Sequence, residues 1–193
     1  MPEHTVSDKR LKILSATEML IAEHGFQGLS MQKIAKEADV AAGTIYRYFK
    51  DKDDLISELR LFVTQRMADA IQANVSPDMP LKVRYRTMWL NIWQLAKSDS
   101  SALKNRIQYE LLAVKDNKAA QEVEREMFYL VDEFFKEGKE QGLFKPLDNF
   151  ILSGLSLEVS ISLARKRTLY CYQLDEKAVD TAIEASWDAI IQH

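Results

Sequence analysis

The residues able to do chemistry crowd into one short stretch, where Thr44, Tyr46, Arg47 and Tyr48 follow directly on Ala42 and Gly43. Phenol, hydroxyl and guanidinium groups reach phosphate oxygens and base edges, and the small residues before them let a backbone approach a surface closely. That is the chemistry of holding a nucleic acid. Gln32, a little upstream, adds an amide suited to a base edge, and Ala42 a methyl suited to a thymine methyl.

Such side chains need a rigid frame, and residues 29–49, LSMQKIAKEADVAAGTIYRYF, provide the pattern of a helix-turn-helix. Ser30 is placed to cap the first helix, with Met31, Ile34, Ala35 and Ala38 on one face at helical spacing. Asp39 stops that helix, because Asp tolerates the left-handed conformation that a sharp corner needs, and Val40 plugs the corner. The second helix, from Ala41 to Tyr48, is too short to stand alone, so Ile45 and Phe49 must bury against the first. The motif is assigned to residues 30–49.

Net charge does not decide the question. Of 193 residues, 26 are Lys or Arg and 29 are Asp or Glu, for a net charge of −3. The local field matters more, and Lys9, Arg10, Lys12, Lys33, Lys36, Arg47, Lys50 and Lys52 belong to or flank the small N-terminal domain. Lys52 and Arg47 stand at the mouth of the recognition element. Catalysis finds no support: there is no glycine-rich phosphate loop and no Cys/His dyad, and Asp53 and Asp54 at a helix start read as caps. Three His and one Cys assemble no metal site, and no cofactor is expected. The single Cys171 and the absence of an apolar leader predict a cytoplasmic protein, which makes the sequon-like Asn74-Val75-Ser76 accidental.

An all-α class follows from apolar residues recurring at three and four, with only six Gly and four Pro, and about nine helices are expected. A first helix starts at Ser7 or Asp8 and closes at His24 and Gly25. A long connecting helix follows Asp51 and ends before Ser76 and Pro77, so residues 1–54 form the DNA-binding domain and 55–193 the connecting helix and body. In the body, amphipathic helices span 81–97, 101–114 and 117–142. Trp89, Trp93, Tyr109 and Phe128 are the material of an apolar cavity for a small molecule, although such stripes also build ordinary cores. Residues 150–164 are apolar almost all round, and the last helix, 176–191, is amphipathic. Leu152, Leu155, Val159, Ile183, Trp187 and Ile190 on these two suit a four-helix dimer interface, and a monomeric core would leave the same pattern. Fifteen residues are too short for a membrane span. Glu158 is the only charge in its helix, and either lies at a wet rim, paired with Arg84, Arg86 or Arg106, or faces the cavity and attracts a lipophilic cation.

From Ile13 to Leu55 the segments IAEHGF, KIAKEADV, AAGTIYRYF and KDKDDL resemble the DNA-binding domain of the TetR family of bacterial repressors. Asp39 departs from the pattern, in which Gly is frequent at that corner. The resemblance implies that Thr44 and Tyr46 contact phosphate or base, that Lys52 contacts phosphate, and that the last two long helices pair in a homodimer. It also implies a repressor on a near-palindromic double-stranded operator, released by a small apolar or cationic effector. A DNA-binding scaffold whose body takes a protein partner is the alternative.

Overall fold

The computed structural model describes residues 3–98, 118–170 and 173–193. All of the regular elements described are helical, apart from one isolated antiparallel bridge between Phe144 and Ile191. The all-α expectation holds. The chain divides into two compact units, and the division falls inside one helix, between Gln65 and Arg66.

In the first unit, α1 (Glu3–His24) begins earlier than Ser7 and ends at Gly25, whose φ of 67° stops it. A 3-10 turn (Phe26–Gly28) leads to α2 (Met31–Glu37), α3 (Ala42–Ile45) and the start of α4 (Lys52–Ile71). Ile13, Leu14, Ile21, Ile34, Ile45, Phe49, Leu55 and Leu59 are all buried, which is how helices too short to be stable alone are held. The α1–α4 pair is tied by an Arg10–Glu58 ion pair, and the Arg10 guanidinium also lies 5.9 Å from the centre of the Phe49 ring.

In the second unit, the end of α4 is followed by α5 (Leu81–Ser98), α6 (Lys118–Met127), α7 (Tyr129–Glu140), α8 (Asn149–Leu155), α9 (Leu157–Tyr170) and α10 (Glu176–Asp188). Its core is aromatic: Tyr85, Phe134, Phe144 and Trp187 meet one another with ring centres 5.1–6.5 Å apart. Burial pushes the Tyr85 phenol well above its usual range, and its hydroxyl shares a 2.7 Å hydrogen bond with Ser186. Arg84, 2% exposed, is satisfied by the Glu137 carboxylate and by the Met79 carbonyl at 3.0 Å.

Two helices expected to be continuous are broken. The one expected over 117–142 splits at Phe128, and the apolar one over 150–164 splits at Ser156. The Ser156 hydroxyl donates to the Leu152 carbonyl at 2.6 Å, and its backbone leaves helical geometry at φ −125°, ψ −77°. The expected 101–114 helix, with Tyr109 and Arg106, lies outside the described residues.

Candidate nucleic-acid interface

The motif is built as its residues dictate. The Ser30 side chain accepts from Lys33 N at 3.2 Å and caps α2. Asp39 adopts φ 52°, the left-handed corner, and Val40 N bonds back to the Ala35 carbonyl at 2.9 Å. After the four residues of α3 the chain stays tightly wound, with Arg47 N on Thr44 O at 3.1 Å and Phe49 N on Ile45 O at 3.0 Å. Ile45 and Phe49 are buried, so the opposite side of this segment is presented outward.

That outward side carries Ala42, Gly43, Tyr46 and Arg47, all exposed, with Tyr46 59% exposed despite its large ring. Thr44 and Tyr48 are half-buried beside them, and Gln32 is exposed on α2. A Cβ built on Gly43 meets nothing within 4 Å, so no packing inside the chain demands a glycine there. Small and exposed, Ala42 and Gly43 leave the backbone here open to close approach from outside. Among the described residues Arg47 has no carboxylate partner, in contrast to Arg10.

Lys52 is placed differently from a free surface cation. Its Nζ donates to the carbonyls of Phe26 at 3.3 Å and Leu29 at 3.2 Å, so it pins the 3-10 turn to the start of α4. Next to it, Asp51 accepts from Asp54 N and Asp54 accepts from Lys50 N, both at 2.8 Å, a reciprocal cap. Asp54 is thus a capping residue.

In the body, the Trp89 and Trp93 rings stack with centres 5.8 Å apart, and Phe128 packs on the same core. Trp89 is fully buried and its Nε1 has no acceptor among the described residues. Glu158, half-buried in the first turn of α9, accepts from the Ser153 hydroxyl at 3.4 Å. Two of its three expected arginines are engaged elsewhere, Arg84 by Glu137 and Arg86 by Asp180 at 2.6 Å, and Arg106 lies outside the described residues. Tyr109 lies outside the described residues.

The expected interface stripe divides. Leu152, Ile183, Trp187 and Ile190 are buried in this chain's own core, so they are not a surface offered to a partner. Their burial matches the monomeric-core alternative, since an apolar face records burial and not the identity of what covers it. Leu155 is 43% exposed and Val159 half-buried. Two residues the stripe omitted, Phe150 at 81% and Ile151 at 47%, are more exposed than any of its members. A segment apolar all round carried no signal to separate its outward side.

The pattern described as "Bacterial regulatory proteins, tetR family" matches residues 13–59, and "Tetracyclin repressor-like, C-terminal domain" matches residues 80–191. The chain belongs to the TetR family. It is 36% identical over 185 residues to an HTH-type transcriptional regulator of Haemophilus influenzae, covering 95% of this chain and 96% of that one. A TetR-family protein from Vibrio parahaemolyticus has the same fold at TM-score 0.85 and 60% identity, over 96% of this chain and 100% of its own. A second solved structure, a TetR-family regulator from Haemophilus influenzae, matches at TM-score 0.85 and 34% identity, over 97% and 99%. This TetR-family chain is therefore a DNA-binding transcriptional regulator, and Thr44, Tyr46 and Arg47 stand on its helix-turn-helix. Among the described residues no helix is long and apolar enough to cross a membrane.

Proposed function

We propose that the chain is a cytoplasmic homodimeric repressor that leaves a near-palindromic operator when a small molecule occupies its body. The observation carrying the DNA reading is the exposed set Ala42, Gly43, Tyr46 and Arg47, with half-buried Thr44 beside them, held rigid by buried Ile45 and Phe49. In this reading Gln32, Ala42, Arg47 and Tyr48 read bases, and Thr44, Tyr46 and Lys52 hold phosphates. One such short element touches few base pairs, so useful specificity requires two copies on half-sites about one helical turn apart or a multiple of it. The exposed apolar side of α8, Phe150, Ile151 and Leu155, continued by Val159, supports a second copy as partner, since patches of this kind mark association surfaces.

The effector reading is supported by Trp89: a buried indole N–H without an acceptor among the described residues carries a desolvation cost that a bound molecule with an acceptor oxygen would remove. In this reading Trp89, Trp93 and Phe128 supply its apolar walls. Glu158, which accepts only from Ser153 among the described residues, supports a cationic effector. The chain works by binding and not by catalysis.

The test is selection of duplexes from a randomised library, with sedimentation of the free protein and of its complex. Inverted half-sites bound by a dimer are expected; a protein monomeric at micromolar concentration on its best duplex overturns the reading. For the effector, crystal violet is titrated against wild type and Glu158→Gln. Weaker binding by a variant that remains dimeric is expected, and equal affinity removes Glu158 from the site.

A further inference from the structure

The break at Phe128 has no local cause. From Lys118 to Glu137 the chain contains neither Gly nor Pro, and the residues favour an unbroken helix. Sharp helix breaks arise at Pro, at Gly or Ser pairs, at bulges, or where a side chain enters the backbone ladder. Here the side chain is Gln72, which follows the last residue of α4. Its Nε2 donates to the Met127 carbonyl at 2.8 Å and its Oε1 accepts from Leu130 N at 2.8 Å. A single amide thus replaces the next turn of helix on both sides of the break. Phe128 itself sits at φ −97°, ψ 29°, with no side-chain cap of its own.

The same amide is tied to α4, because its Nε2 also donates to the Ala68 carbonyl at 3.1 Å. A second amide holds the other side of that helix end: Asn91 Nδ2 on α5 donates to the carbonyls of Ile71 at 2.9 Å and Ala73 at 2.8 Å. The chain then turns at Asn74, whose φ is 60°. The end of α4 is therefore clasped between α5 and the α6–α7 break, and α4 is the helix that begins in the DNA-binding unit.

We propose that Gln72 is a positioning residue that makes α6–α7 a two-state element, broken while the amide is inserted and continuous when it withdraws, so that the state of this helix and the placement of α4 are set together. The Met127 carbonyl and the Leu130 N–H are paired in both states, by Gln72 in one and by ordinary i to i−4 bonds in the other, so neither group is left unpaired by the switch. Phe128, packed on the body's core, lies at the point that moves. The proposal rests on the reading of the body as the control unit of a DNA-binding protein.

The experiment places spin labels at Glu122 and Lys136, both exposed and on opposite sides of the break, in the full chain with Cys171→Ser. A continuous helix holds these positions about 21 Å apart between Cα atoms, at 1.5 Å per residue. Gln72→Leu is expected to lengthen the label distance relative to wild type and to change the affinity for the library-selected duplex more than threefold. An unchanged distance overturns the cause of the break, and a changed distance with operator affinity within threefold of wild type overturns the coupling. If Gln72→Leu does not fold, Gln72→Glu, which keeps the acceptor for Leu130 but loses both donors, is read by the same two criteria. Failure of both variants to fold makes Gln72 merely structural and overturns the proposal. A wild-type protein that selects no duplex refutes the DNA reading instead, and the distance alone then decides whether Gln72 makes the break.

Discussion

Replacing Gly138 by alanine is expected to destabilise the body severely, although alanine is the better helix former. Gly138 lies in α7 beneath the Phe144 ring, and a Cβ built on it would stand 2.0 Å from Cδ2, 2.1 Å from Cε2 and 2.7 Å from Cγ. The ring has nowhere to slide. Its centre is 5.1 Å from that of Phe134, 6.2 Å from Phe135 and 5.4 Å from Trp187. Its backbone is anchored as well: Phe144 N bonds to the Gly138 carbonyl at 3.0 Å, and Lys145 N and Gln192 N bond across the bridge to Ile190 and Leu143, both at 2.9 Å. Ordinary overpacking costs about 1–3 kcal/mol, but contact this close with three ring atoms requires expelling the ring, which costs about 3–5 kcal/mol. The gain in helix propensity returns about 1 kcal/mol. The net loss is then about 2–4 kcal/mol, or roughly 5–15 °C in Tm for a chain of this size. Urea unfolding followed by tryptophan fluorescence measures it, since all three Trp lie in the second unit. A midpoint equal to or above wild type would refute the reasoning, because it would mean that propensity outweighs the clash. In the double variant Gly138→Ala/Phe144→Ala the clash is gone, so Gly138→Ala should cost far less in that background than alone.

Further outcomes follow from the same geometry. The Tyr85 phenol is held neutral by burial, so its stabilisation is complete below about pH 10 and is lost as pH rises above that value, by about 1.4 kcal/mol per pH unit. The difference between wild type and Tyr85→Phe in urea midpoint should therefore shrink from pH 9 to pH 11, and a constant difference rejects it. Arg47→Ala should weaken binding and relax sequence preference by about 1–3 kcal/mol at one base position, whereas Tyr46→Phe should weaken selected and random duplexes alike. Equal losses on both for Arg47→Ala exclude it from base reading. Lys52→Ala should weaken all DNA and also lower the stability of the first unit by about 1 kcal/mol, since the Phe26 and Leu29 carbonyls lose their donor; unchanged thermal unfolding contradicts the pinning role. Phe150→Glu with Leu155→Glu should leave a folded monomer by sedimentation and circular dichroism, and a dimer that survives shows that α8 is not the interface.

The sequence by itself determined whatever is settled within a few residues. The Ser30 cap, the Asp39 corner, the buried Ile45 and Phe49 and the Asp54 cap are local solutions to unpaired backbone groups or to forbidden torsions, so residue type and spacing suffice. The family resemblance lay in the same stretch for the same reason. Tertiary structure decided what depends on partners far along the chain. Gln72 meets Met127 and Leu130 more than fifty residues away and breaks a helix whose own residues favour continuity. Lys52, legible as a surface cation, is drawn onto carbonyls of residues 26 and 29. Leu152, Ile183, Trp187 and Ile190 carry the apolar period of an interface, yet they pack within their own chain, while Phe150 and Ile151 face outward. Periodicity reports only that a face loses water, because the hydrophobic effect is non-directional; which surface covers it is fixed by packing among helices distant in sequence.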